Sequence, residues 1–224
     1  MRRTMPLVLM RPTVVLVALI IALALVVVAS AISQKPADAA TRLVTKTFSN
    51  QGQVLIPAGA VPGNCIAGAT FGTAAPYPSQ KTANFPTGSR VRDVNLTLKN
   101  YSHTFPDDVD VLLDHKGVNR TVMSDVGGGN PGVNNITLKL DDESPTPLPD
   151  SDQIVTGSFR PANFEPNDGF PSPAPIQDNR SALGGFDGLN PSGTWNLLVQ
   201  DDAGGDCGTF AGGWSIKITA AVPS

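Results

Sequence analysis

The chain has 224 residues with 16 Lys+Arg against 19 Asp+Glu, a formal charge of −3, and only two cysteines and two histidines. Without Arg2, Arg3, Arg11, Lys35 and Asp38 of the first 40 residues, 12 basic and 18 acidic residues remain, a charge of −6. That excludes the basic footprint of a nucleic-acid-binding domain. Sixteen of the 18 acids are Asp, which suits turns and hard-cation sites better than helix faces.

Residues 1–40 read as an export segment. Arg2, Arg3 and Arg11 precede an apolar run from Val14 to Ala29 that continues weakly to Ile32. Charged flank, hydrophobic segment and small residues follow in the order of a secretory signal. Ala29-Ser30-Ala31 and Ala37-Asp38-Ala39 are both cleavage-type tripeptides, giving cleavage after Ala31 or Ala39. The run is also close to the roughly 20 residues that span a bilayer, so a retained signal anchor is the alternative. The arginines stay on the cytoplasmic side either way. The expectation is an exported domain, residues 41–224, secreted or membrane-anchored, with the membrane touched only through the N-terminal segment.

The exported part is long enough for one full core and short for two. Gly and Pro punctuate it every eight to fifteen residues and no amphipathic helix is apparent, the pattern of an all-β sandwich. Thr41 to Ser49 reads as an opening strand, with Leu43 and Thr45 on one face and Val44, Lys46 and Phe48 on the other. From Pro57 to Gly88, five prolines among small residues predict a loop-rich lead-in with one short strand. Val94, Leu96 and Leu98 alternate cleanly, as do Val109, Val111 and Leu113, and Ile136, Leu138 and Leu140; these are the central strands. Leu148 to Leu189 carries six prolines around a strand at Ile154 to Phe159, which predicts a long surface loop over one end of the sandwich.

Pro191 to Thr219 is the most informative stretch. Trp195, Leu197 and Val199 alternate in a first arm, and Trp214, Ile216 and Ile218 in a second. Both tryptophans are therefore expected in one core, on the two arms of a β-hairpin. Between the arms, Asp201-Asp202-Ala203-Gly204-Gly205-Asp206-Cys207-Gly208 is too rich in glycine to continue either strand. In an exported protein the pair Cys65 and Cys207 most simply forms one disulfide, worth about 5 kcal/mol in the chain-entropy model; two buried free thiols are the other reading.

Four pieces carry a resemblance. Val91-Arg-Asp-Val-Asn-Leu-Thr-Leu98, Ser102-His-Thr-Phe-Pro-Asp-Asp-Val-Asp110-Val-Leu-Leu113, Asn190-Pro-Ser-Gly-Thr-Trp195 and Asp201 through Gly205-Asp206-Cys-Gly208 to Gly213-Trp214-Ser-Ile-Lys-Ile218 occur in order. Together they resemble the P domain (P/Homo B domain) found beside subtilisin-like catalytic domains in kexin- and furin-type proprotein convertases. They look closer to the bacterial versions in secreted proteases and cell-surface proteins. The resemblance covers about residues 45–220 and implies a jelly-roll-like antiparallel β-sandwich of the galactose-binding-like kind. Two local departures stand out: Asp107-Asp108-Val109 replaces a Gly-Asp-Leu, and Asp114-His115-Lys116-Gly117 replaces a Ser-Pro-x-Gly turn. The chain also passes almost directly from the hydrophobic segment to the sandwich, so the family's protease activity is not expected with the fold.

The sequence offers little for catalysis. His103 and His115 are the only histidines, and neither a G-x-S-x-G elbow nor an H-E-x-x-H helix occurs. His103 is expected to pack at a strand end and hydrogen-bond a carboxylate or carbonyl. The aspartates suggest a structural Ca2+ site instead, drawn from Asp108, Asp110, Asp141, Asp201 and Asp206, because Ca2+ takes six to eight oxygens that flexible acidic loops supply. The other reading is that they are solvated turn residues. The functional expectation is a non-catalytic module that binds or stabilises a protein partner at the cell surface. Two rivals are an accessory domain of a subtilisin-like protease and a carbohydrate-binding module using Tyr77, Tyr101, Phe164, Phe170 or Phe186. The five N-x-S/T sites at Asn95, Asn100, Asn119, Asn135 and Asn179 are read as accidental.

Overall fold

The computed structural model describes residues 40–61 and 71–224. The expectations for residues 1–39 and for Cys65 lie outside the described residues. Ala40–Ser224 is one compact unit. Its strands in chain order are β1 (Thr41–Asn50), β2 (Val54–Ile56), β3 (Gly72–Thr73), β4 (Ser79–Ala83), β5 (Arg90–His103), β6 (Val109–His115) and β7 (Val118–Ser124). They continue with β8 (Val133–Leu140), β9 (Gly157–Phe159), β10 (Ala162–Asn163), β11 (Gly193–Asp201), β12 (Gly208–Phe210) and β13 (Trp214–Pro223). Two 3₁₀ turns, Pro106–Asp108 and Leu183–Phe186, are the only helical segments among the described residues.

The strands form two sheets that sandwich one core. In the first, β5 is the axis. One of its edges pairs with β13 over Arg90 to Leu98 and then with β12 over Tyr101 to His103, while its other edge pairs with β8. β1 lies beyond β13, β2 beyond β12 and β9 beyond β8. In the second sheet, β11 pairs with β6 on one edge and with β4 and β3 on the other, and β7 and β10 lie beyond β6. Most pairs are antiparallel, but β8–β9 and β7–β10 are parallel, so both sheets are mixed. The parallel pairs lie at the sheet margins, where short strands of the proline-rich segment add on without a hairpin.

Period-two alternation accounts for the core. Val94, Leu96 and Leu98 from β5, Val111 and Leu113 from β6, and Leu138 and Leu140 from β8 all enter it. So do Trp195, Leu197 and Val199 of β11 and Trp214, Ile216 and Ile218 of β13. Both indoles are 0 % exposed and both have partners for their N–H groups: Trp195 donates to the Pro191 carbonyl and Trp214 to Ser79 Oγ. The two arms do not form a hairpin, however. β11 belongs to one sheet and β13 to the other, and the glycine-rich stretch between them carries the chain across, adding β12 on the way. Alternation reports which face of a strand is buried and says nothing of its neighbour.

Two further differences matter below. The 57–88 region holds β3 and β4, both paired to β11. The proline-rich segment crosses the outer face of the second sheet and does not simply cap an end. Asn119 of β7 donates to the Ile176 carbonyl and Ser124 to Asp168 at one margin, and Tyr77 donates to the Pro171 carbonyl at the other. Leu112, Leu198, Asp110 and Gln200 are consequently buried on that outer face. The turn of Asp114-His115-Lys116-Gly117 is also resolved. Lys116 and Gly117 both have positive φ and join β6 to β7 as a two-residue hairpin loop, the I′ geometry that matches strand twist.

Removing either indole opens the core between the sheets. Trp195→Ala and Trp214→Ala are each expected to cost about 3–5 kcal/mol in urea denaturation. Leu43→Ser, at a position 68 % exposed, should change stability by less than about 0.5 kcal/mol.

Candidate functional site

The strands that end together at one end of the second sheet gather carboxylates. After β5 the chain turns through Pro106–Asp108, with proline in the first turn, and enters β6. Asp110 of β6 stands opposite Gln200 of β11, whose amide donates to its carboxylate at 2.9 Å. Asp110 points away from the hydrophobic core, as the alternation around Val109 requires, yet it is 1 % exposed because the proline-rich segment covers that face. That segment brings Asp168. Ser124, the last residue of β7, lies 2.7 Å from Asp168 Oδ2 and 2.8 Å from Asp125 Oδ2. One hydroxyl proton thus serves both of these carboxylates and Asp110 as well. Asp202 follows β11, and its N–H donates to the Asp108 carbonyl at 3.0 Å. Ligand oxygens of Asp110, Asp168 and Asp202 all lie within 4.8 Å of one another.

Little positive charge answers this group. Among the described residues the ion pairs are His103–Asp201, Arg120–Asp178 and Lys139–Asp141; none includes Asp107, Asp108, Asp110, Asp125, Asp168 or Asp202. Asp107, Asp108, Asp110, Asp125 and Asp202 hold their protons more tightly than an ordinary carboxyl. Burial pushes Asp110 up to about 8, with Asp168 and Asp202 adding to the effect and the Gln200 and Ser124 bonds opposing it. Burial, then the neighbouring Asp201, Asp206 and Asp202, pushes Asp108 up to about 7. Asp107, Asp125 and Asp202 are raised as well, each by burial first and by nearby acids second. The donors are hard oxygens, three carboxylates from three separate segments with no basic partner among the described residues, a set that suits a divalent cation. The chemistry fits Ca2+.

The five aspartates singled out in the sequence are distributed unevenly. Asp110 is in the close group. Asp108 neighbours it electrostatically and through its carbonyl. Asp206 accepts from Thr104 Oγ1 at 2.8 Å. Asp201 faces the interior, where its carboxylate lies 3.4 Å from His103 Nε2. Asp141 belongs to a local arrangement at the end of β8, paired with Lys139 and accepting from the Glu143 N–H. Asp168 and Asp202 complete the group in their place. Asp168 sits in Asn167-Asp168-Gly169 inside the proline-rich segment, a turn signal with nothing to say where that turn lands. Cys207, beside the acidic loop, is disulfide-bonded.

Both histidines are interior. His103, at the end of β5, has Nδ1 2.8 Å from the Phe105 carbonyl and Nε2 facing a carboxylate, the arrangement expected for it. His115 stacks on Trp195 at 4.0 Å, and its two nitrogens face the Thr194 and Asn190 carbonyls. A cleft of about 910 Å³ on the first sheet is lined by Ser102, His103, Thr104, Asn134, Asn135 and Thr209 among others, with no Asp, Glu, Lys or Arg. None of the five aromatics considered for sugar stacking lines it, and Tyr101 and Phe186 are fully buried.

No protein-family model, no curated protein and no solved structure matches this chain.

The raised carboxyls give stability a definite pH dependence. A carboxyl whose folded-state value lies above its ordinary 3.8 favours the folded state when protonated. That contribution is complete below 3.8 and is lost as pH rises through about 7 for Asp108 and about 8 for Asp110. With divalent ions chelated, the melting temperature is expected to fall as pH is raised from about 5 to about 8. Asp110→Asn should flatten much of that slope.

Proposed function

We propose that this chain is an exported, non-catalytic module of the P/Homo B-like jelly-roll kind, which binds or stabilises a protein partner at the cell surface and holds its acidic end together with Ca2+. The reading joins the four sequence pieces to an all-β sandwich whose strands run through those pieces. The observation that carries the calcium part is the meeting of Asp110, Asp168 and Asp202, one of them buried, with no basic partner in the described residues. Carboxylates from β6, from the proline-rich segment and from the loop after β11 would hold the ion. Bound there, it supplies positive charge that relieves their mutual repulsion and fixes three loops as one surface.

The non-catalytic part is supported by the histidines. A general base must reach a substrate proton; His115 is buried with both nitrogens on carbonyls, and His103, at the wall of the cleft, is 2 % exposed with Nδ1 on a carbonyl and Nε2 towards Asp201. The partner-binding part follows from the family resemblance and from a loop end made rigid by a cation.

The test is a thermal melt in chelator and in millimolar Ca2+ at constant ionic strength. A ligand that binds only the folded state adds about 2.7 kcal/mol at a hundred times its Kd, so a clear rise is expected in wild type. The rise should vanish in Asp202→Asn and Asp168→Asn. The absence of any shift in wild type, or an equal shift in those variants, overturns the calcium site.

A further inference from the structure

Where the acidic group lies outside β11, a second set of polar atoms lies inside it without hydrogen bonds. Asp201, the last residue of β11, is 1 % exposed, and neither of its carboxylate oxygens has a hydrogen bond. Beside it is His103, the last residue of β5 and 2 % exposed, whose Nε2 also has no hydrogen bond and lies 3.4 Å from Asp201 Oδ2. Tyr101, on the same face of β5, is fully buried, and its hydroxyl is likewise unpartnered. The Tyr101 and His103 rings are 6.4 Å apart. Four bare polar atoms in one buried place are rare in folded proteins, because each forfeits its hydration without replacement.

Two features select a ligand. The first is the tautomer. His103 Nδ1 makes its shorter contact, 2.8 Å, with the Phe105 carbonyl, and a longer one of 3.2 Å with the Phe105 N–H. A proton donated to the carbonyl leaves Nε2 facing the Asp201 carboxylate, an approach that needs either a second proton or a metal ion between them. A second ring nitrogen donating to a backbone carbonyl is the usual outer bond of a metal-ligating histidine. The second feature is distance. At 3.4 Å the pair is long for a charge-assisted hydrogen bond of about 2.7–2.9 Å. Two bonds of about 2.1 Å at a tetrahedral angle separate donor atoms by about 3.4 Å. One imidazole nitrogen with carboxylate and phenol oxygens suits a borderline ion better than Ca2+.

We propose that His103 Nε2 and an Asp201 carboxylate oxygen, with the Tyr101 hydroxyl as a neighbouring oxygen donor, form a binding site for a divalent cation of the Zn2+ class. The site is separate from the outer acidic group and does not rest on the calcium reading. Its ligands come from β5 of one sheet and β11 of the other, so the ion ties the two sheets together across the interior. Gly208 allows β12 to pass close to β5, since a Cβ there would stand 2.1 Å from the Ser102 carbonyl oxygen and 2.4 Å from His103 Cδ2.

The full chain, stripped of metal with chelator, is titrated with Co2+ and then with Zn2+. The expected result is one equivalent of Co2+ giving the intense visible bands of a tetrahedral nitrogen–oxygen site, displaced by one equivalent of Zn2+. His103→Gln and Asp201→Asn abolish the bands, and Asp152→Asn, at an exposed position outside both groups, leaves them unchanged. Independently of folding in the variants, the imidazole nitrogen resonances of wild type report the site: Nε2 of His103 shifts on Zn2+ addition while His115 does not. The absence of binding by wild type, bands that survive His103→Gln, bands lost in Asp152→Asn, or an unmoved His103 Nε2 each overturns the proposal and leaves a buried His–Asp ion pair.

Discussion

Uncompensated negative charge at one end of a sandwich is the constraint around which this structure is arranged. The hydrophobic core would hold two sheets together with any polar residues at their ends. Here the ends of β6, β7 and β11 carry Asp110, Asp125 and Asp202 into the same small volume, and the proline-rich segment adds Asp168. In water such carboxylates repel weakly. Under a covering loop the repulsion is stronger and each group also loses hydration. The local hydrogen bonds are too few to offset this, since Ser124 has one proton for Asp110, Asp125 and Asp168 and Gln200 serves only Asp110. Proton uptake or a cation is the physical remedy, and the raised Asp108 and Asp110 values express the first of these.

The covering loop exists because the core behind it is sound. Trp195 and Trp214 fill the space between the sheets with their N–H groups satisfied, and His115 stacks on Trp195 with both ring nitrogens on carbonyls. The rings in the core have their polar atoms paired, whereas at the acidic end both Asp201 oxygens, His103 Nε2 and the Tyr101 hydroxyl lack a hydrogen bond. Asp201, His103 and Tyr101 lie inside that end and Asp110, Asp168 and Asp202 outside it. The strand end of β11 separates two polar groups with different donor sets.

The central strands were legible because their alternation is clean: Val94 to Leu98, Val109 to Leu113 and Ile136 to Leu140 each bury one face. β7 was missed, since its seven residues are nearly all buried and Arg120 and Asn119 interrupt the pattern. Arg120 is held inside by Asp178 and the Ala182 carbonyl, partners from the proline-rich segment. The hairpin expected around the two tryptophans failed for a related reason: alternation identifies a buried face and leaves the pairing partner open. Asp110 was legible from its position beside Val109. Asp168 was not, because its place depends on a contact with Ser124 formed across 44 residues. Sequence periodicity carries no information at that range.

Hydrogen–deuterium exchange with and without Ca2+ tests the central claim most directly, because it locates the effect in the chain. Slower exchange with Ca2+ is expected in the Pro106–Asp108 turn, around Asn167 to Gly169 and in the loop from Asp202 to Asp206. The middles of β5 and β13 should be unchanged. Identical exchange in those three segments with and without Ca2+, or a change spread evenly over the sandwich, would contradict it.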